Sequence, residues 1–319
     1  MHNVWLPLSH NTILDAVEEV IGDKLSNLII QRNSYINRVY EIENKNTREK
    51  LIVKFYRPDR WSQELILEEH AFLYKLEENE VPVITPLKYK GDSLFLLENI
   101  YYAIYPKKGG RAVDEFDKEG WLQIGRLLGR MHLVGETFIA SKRVVWKPEV
   151  VSQKSVEYLL NNHHLPLDYE EPFSRATNQF ILKAKALFEK ERAILIHGDC
   201  HLGNLLNRLG EGQYLIDFDD ICIGPPVQDL WMLLPDKVAE CELMIAWFRE
   251  GYETFREFSL RSLQLIPALK IMRQIHFAGW CALQRADISF NNNFSEWGSI
   301  RYWNELVRDI QGFYLLNEM

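Results

Sequence analysis

Between Ile194 and Pro225 the chain reads ILIHGDCHLGNLLNRLGEGQYLIDFDDICIGP. Apolar runs here enclose His197, Asp199, His201, Asn204, Asp217, Asp219 and Asp220. No other stretch restricts the fold so strongly. Polar groups of this kind resist burial unless they are paired or bound to a ligand. The runs AILIHG and QYLIDF have the apolar, β-prone composition of short strands. The pattern predicts two strands that flank an exposed loop carrying chemistry. It leaves open whether the loop holds a metal for hydrolysis, a metal that carries a nucleotide, or nothing.

The elements around this loop change character along the chain. Residues 10–22 have helical spacing and end at Gly22, a plausible C-cap. LIIQRNSYINRVYEIEN then reads as two strands joined by the polar turn 33–38, and KLIVKFYRP as a third strand ended by Pro58. WSQELILEEHAFLYKLEENE is a helix whose apolar face carries Leu65, Leu67, Phe72, Leu73 and Leu76. SLFLLE and YYAIYP are short strands, and the Gly-rich PKKGGR follows. Beyond Arg111 the pattern turns helical. DKEGWLQIGRLLGRMHLVG is strongly amphipathic, and Gly125 and Gly129 predict close helix packing. Further helices are predicted over 172–192, 236–260, 262–285 and 296–317.

The expected architecture is α+β and bilobal, with a small β-rich N-lobe (1–107) and a larger α-rich C-lobe (108–319). YPKKGG, at 105–110, is the hinge. At 319 residues there is ample core for two such units. A net charge of −8 argues against nucleic acid or an anionic membrane as partner. Apolar runs such as LWMLLP are too short to span a bilayer. The N-terminal stretch lacks a basic start followed by an unbroken apolar run, so no signal peptide is expected. Four cysteines without CxxC spacing read as reduced thiols, which points to the cytoplasm.

Phosphoryl transfer from ATP requires a carboxylate at the attacking hydroxyl. It also requires a second carboxylate and an amide oxygen on Mg²⁺, and a strand lysine at the phosphates. Protein kinases write this as H-R-D-x-x-x-x-N, then D-F-G, with the strand lysine and a helix glutamate earlier. The same parts occur here in the same order. Lys54 lies in IVKF, Glu68 and Glu69 lie on the next helix, HGDCHLGN carries Asp199 and Asn204, and LIDFDD carries Asp217.

This H-G-D-x-x-x-x-N…D-F-D arrangement resembles the aminoglycoside phosphotransferase-like kinases. More closely, the chain resembles the bacterial stress response kinase A family of serine/threonine protein kinases. NSYINRVYEIE, VKFYRPDRW, ILEEHAF, GRLLGRMH, HGDCHLGN and GPPVQDLWMLL carry the likeness. The resemblance implies a protein-kinase-like fold and ATP- and Mg²⁺-dependent transfer to protein serine or threonine hydroxyls in a stress context. It makes Asp199 and Asp217 the catalytic pair, with Asp199 accepting the hydroxyl proton, and makes Asn204 and Asp217 the Mg²⁺ ligands. Ser34 and Asn37, with backbone N–H groups, would cover the phosphates, because this loop lacks the G-x-G-x-x-G of ordinary protein kinases. Lys54 would pair with phosphate and with Glu69, and adenine would rest on the hinge at Tyr105 and Lys107. A monomer is expected.

Other readings compete. His197, Asp199 and His201 resemble part of a two-metal hydrolase cluster, but no further grouped histidines complete it. A small alcohol such as an aminoglycoside, homoserine or a choline-like compound could be the acceptor. DEFDKE (114–119) and DYEE (168–171) would then supply an acidic cleft. A pseudokinase scaffold is the third reading. Cys200 is expected to be packed, Asp229 to be structural, and Asp219 and Asp220 to support the site or cap a helix.

Overall fold

The computed structural model of the chain describes Trp5, residues 7–287 and residues 290–315. Helix α1 (His10–Ile21) begins at Ser9, whose hydroxyl caps the Thr12 N–H, and ends at Gly22 with φ 71°. Strands β1 (Leu25–Arg32), β2 (Arg38–Asn44) and β3 (Lys50–Phe55) follow, then helix α2 (Gln63–Glu78). With β4 (Phe95–Leu97) and β5 (Ile100–Pro106) the strands form one antiparallel sheet in the order β1-β2-β3-β5-β4. Its period-2 alternation decides the chemistry. Val53 and Phe55 are fully buried with Ile13 and Val17 of α1, so Lys54 projects from the opposite face.

The helix α2 turns its apolar side to the other lobe. Phe72, Leu73 and Leu76 belong to the large C-lobe core, so this N-lobe helix bridges both lobes. The C-lobe begins with β6 (Arg111–Ala112) and α3 (Lys118–Thr137), capped by Asp117. A π-helical turn, Pro148–Ser152, leads into α4 (Gln153–Asn161), and α5 (Leu167–Phe188) follows. Strands β7 (Ile194–Ile196), β8 (Leu205–Arg208), β9 (Gly212–Leu215) and β10 (Cys222–Gly224) frame the motif loop. Helices α6 (Val227–Trp231), α7 (Glu242–Tyr252), α8 (Ile266–Gln284), α9 (Phe290–Asn293) and α10 (Ile300–Leu315) complete the lobe. The small N-lobe sheet and helical C-lobe agree with the bilobal α+β expectation.

The expected close packing also occurs. A Cβ on Gly125 would collide with the Phe248 carbonyl and one on Gly129 with that of Tyr252, so α3 and α7 touch backbone to backbone. Four helices differ from expectation; the one predicted over 262–285 is α8, which starts at Ile266 after a 3₁₀ turn at Leu260–Leu265. The helix predicted at 172 begins at Leu167 and carries Pro172 inside it, because neighbouring packing tolerates one missing backbone bond. The helix predicted over 236–260 contracts to α7, preceded by a 3₁₀ turn at Val238–Glu240. For the helix predicted over 296–317, the structure gives α10, and positions 316–317 lie outside the described residues. The short elements β6, β8, β10, α4 and α6 carried too few residues to show a period.

Candidate active site

A cleft of about 620 Å³ separates the lobes. The residues predicted at 34, 37, 54, 69, 105, 107, 204 and 217 all line it, together with Phe218 and the Gly109–Gly110 turn. Strand β3 delivers Lys54 from above. Its ammonium lies 3.0 Å from Asp217 Oδ1 and also pairs with the buried Asp219. Asp217 has a φ of +63°, a conformation that costs a non-glycine residue roughly 1–3 kcal/mol and that clusters at functional sites. Its carboxylate is half exposed, whereas that of Asp219 is buried.

The partner expected for Lys54 is corrected here: it binds Asp217 and Asp219 rather than Glu69. Burial, with the Asp219 charge beside it, pushes the Glu69 carboxyl up to about 8 despite Lys54. A mostly protonated carboxyl at neutral pH is a poor partner for an ammonium. Burial alone would also raise Asp219, but Lys54 and Arg60 outweigh it and hold that group low. Of the two neighbouring glutamates, Glu69 lines the cleft. Glu68 accepts from the Ser141 backbone N–H at 2.7 Å instead.

Two further expectations change in detail. The Asn37 amide donates to Asp219 at 2.7 Å and accepts from the Arg57 N–H, so its side chain ties the β1–β2 loop to the Asp219 segment. Lys107 lies 2.5 Å from buried Glu41, which Arg32 and Lys50 also hold, and these three cations pull Glu41 down to about 2 against its burial. Short-range charge compensation claims both side chains. Tyr105 reaches the Tyr56 hydroxyl at 3.0 Å.

The motif loop is fixed from behind. Asp229 on α6, fully buried, accepts from the backbone N–H groups of His197 and Gly198 at 2.8 Å each. It also meets His132 Nε2 at 3.0 Å, and His132 Nδ1 meets the Tyr252 hydroxyl at 2.9 Å. Burial lowers the His132 pKa, so a neutral ring fits both contacts. Gly198 has φ +82°, and a Cβ there would strike the Asp220 carbonyl. His197 is itself buried with Nε2 3.0 Å from the Ile216 carbonyl, and His201 Nδ1 accepts from the Gly203 N–H. Both imidazoles are thus engaged in holding the loop, which removes the hydrolase cluster. Cys200 is buried, as expected, and burial raises its thiol.

Asp199 does not itself line this cleft; the loop leaves it one quarter exposed next to Asn204, which does. Arg273 of α8 donates to its Oδ1 at 2.8 Å, and His201 Nε2 lies 3.5 Å from Oδ2. Burial opposes ionisation, but His201 and Arg273 overcome it and hold Asp199 well below the usual carboxylate range. The Asn204 amide donates to the Asp199 carbonyl at 2.9 Å, leaving Oδ1 as its remaining polar atom. Asn204 Oδ1 and the Asp217 carboxylate are hard oxygen donors of the type Mg²⁺ prefers, with room for water and phosphate.

Residues 29–270 match the Phosphotransferase enzyme family. Stress response kinase A of Escherichia coli K12 is 35% identical over 93% of this chain and 89% of its own length. The serine/threonine protein kinase RdoA of Salmonella typhimurium LT2 is 34% identical over the same shares. The chain belongs to the stress response kinase A family of phosphotransferases. The kinase fold recurs in the amicoumacin kinase hAmiN, solved with AMP-PNP, Ca²⁺ and Ami. That match has a TM-score of 0.77 at 19% identity, over 99% of this chain and all of that one. A microcompartment-associated aminopropanol kinase has a TM-score of 0.67 at 18% identity, over 95% of each chain.

Three arginines of the kinase went unassigned from sequence. Arg60 Nη2 donates to both carboxylate oxygens of Asp220, at 2.8 and 2.9 Å. Arg143, buried, donates to the backbone carbonyls of Asp219 and Leu65 at 2.7 Å each. Arg273 holds Asp199. The KFYRPDRW run contained Arg60, but only the fold reveals its partner.

Proposed function

We propose that the chain transfers the γ-phosphoryl group of ATP to serine or threonine hydroxyls of proteins in the cytoplasm. The observation that carries this reading is the pairing of Lys54 with Asp217 in a cleft that Asn204 also lines, with Asp199 held beside Asn204. In this reading Asn204 Oδ1 and the Asp217 carboxylate would hold Mg²⁺, which would supply positive charge against the charge developing on the transferred group. Lys54 turns from its carboxylates to the α/β-phosphates. Ser34 and the neighbouring backbone cover the phosphates, and Tyr105 and the backbone at Lys107 flank the adenine. Asp199, kept ionised, accepts the hydroxyl's hydrogen bond and takes its proton as the new P–O bond forms and the bond from the γ-phosphorus to the β–γ bridging oxygen breaks, releasing ADP. Such catalysis rests on positioning and charge neutralisation.

Support for a protein acceptor comes from the relatives named as stress response and serine/threonine protein kinases. Four buried, unpaired cysteines suit a reducing compartment, and no described helix is long and apolar enough to cross a membrane. The test is transfer of labelled phosphate from ATP with Mg²⁺, offered to the protein itself, a generic protein and small alcohols. Asp199→Asn should cut transfer by roughly 10²–10⁴-fold while ATP still binds. Retained turnover would refute the role of Asp199. Label on small alcohols alone would move the acceptor to that class.

A further inference from the structure

Four of the acids expected to form a cationic-acceptor cleft are engaged locally. Glu119 binds Arg126, Glu170 meets His163, Glu171 pairs with Arg175, and Asp117 caps α3. Beside Asp199 lie instead the His201 imidazole at 3.5 Å and, in direct contact at 2.8 Å, the cation Arg273. Arg273 is 40% exposed, and its bond to Asp199 uses one of the five guanidinium donors. One helical turn earlier on α8, Lys270 is half-buried 5.9 Å from the Trp231 ring, on the same helix face. The nearby Asp220 carboxylate is paired with Arg60. Positive charge therefore faces the position where an acceptor hydroxyl would approach.

We infer that Arg273, seconded by Lys270, selects acceptors whose hydroxyl has a carboxylate beside it, as in a serine or threonine flanked by Asp or Glu. The inference rests on Asp199 being the group that meets the acceptor. Arg273 offers a planar fork that matches a carboxylate, which a point charge does not reproduce. A cationic acceptor would meet repulsion at the same place. Arg273 is thus a specificity-determining residue as well as a partner of Asp199.

The experiment compares kcat and KM for peptides of one length in which serine is flanked by Asp, by Ala or by Lys, with a free hydroxy acid as a fourth acceptor. The acidic peptide should exceed the neutral one in kcat/KM by roughly tenfold, the worth of one charge-assisted hydrogen bond, mainly through KM. Arg273→Gln should bring that ratio close to one, Arg273→Lys should restore part of it, and Lys270→Gln should reduce it by a smaller factor. Equal rates on acidic and neutral peptides in the wild type would overturn the inference. So would an Arg273→Gln variant that lowers kcat on every acceptor by one factor and keeps the ratio, since that is positioning of Asp199 alone. A preference for the lysine peptide overturns the inference and leaves the protein-kinase reading standing. Turnover of the hydroxy acid without any peptide does the reverse. Turnover of none of the four overturns both.

Discussion

The two halves of the active site are fastened by different physics. The loop 197–204 is anchored through its backbone. Asp229 captures two consecutive N–H groups, and Gln228 donates to the Gly198 carbonyl at 3.0 Å. The segment 217–220 is anchored through side-chain charge. Lys54, Arg60 and Asn37 reach it from the N-lobe, and Arg143 from within the C-lobe. Backbone anchoring fixes a position whatever the lobes do. Charge anchoring makes a position depend on the other lobe. The first suits a group that must stay aimed, and the second suits one that follows the nucleotide.

Removing Asp229 tests the first half and should have the largest effect. Asp229→Ala strands two buried N–H groups and the His132 ring, none of which water can reach. The loss should be about 3–5 kcal/mol of stability. Turnover should collapse with it, because Gly198 and Asp199 lose their frame. Denaturant unfolding with activity measured in parallel checks this. A variant within 1 kcal/mol of wild type would show that the loop is held by its strands instead.

Breaking the charged half should cost less in stability but nearly as much in function. In Lys54→Met, buried Asp219 keeps Arg60 at 3.8 Å and Asn37 at 2.7 Å. The expected stability loss is therefore about 1–3 kcal/mol, that of one charge-assisted bond. Phosphoryl transfer should fall by roughly 10²–10³-fold, since the phosphates lose a fixed cation. Unchanged ATP turnover would mean that Lys54 serves only to join the lobes.

The same contrast explains what could be read from the chain in advance. Regular order was legible: the alternation around Lys54 and the spacing of Asp199, Asn204 and Asp217 each act within a few residues. The bilobal plan followed from that order and from the resemblance. Long-range charge pairing was not legible. Nothing near Asn37 signals Asp219, and nothing near Arg273 signals Asp199, because those partners meet only once both lobes and α8 are in place. The Glu69 assignment shows the same limit. Sequence spacing gave its position on α2, but the ion pair depends on protonation, which burial and Asp219 decide.

Glu69 also reports on the charged half with the smallest effect. Burial raises its pKa from 4.5 to about 8. A carboxyl raised on folding binds its proton more tightly in the folded chain than in the unfolded one. Its contribution is fully present below pH 4.5 and is lost as pH rises through 8. Glu69→Gln keeps the shape and cannot titrate. The melting temperature of wild type minus that of the variant should therefore shrink between pH 5 and pH 9, by on the order of a few degrees. A gap that stays constant between pH 5 and pH 9 would mean that Glu69 is already ionised in the folded chain at pH 5, as it would be if paired with Lys54 after all, making α2 a third charged tether across the cleft.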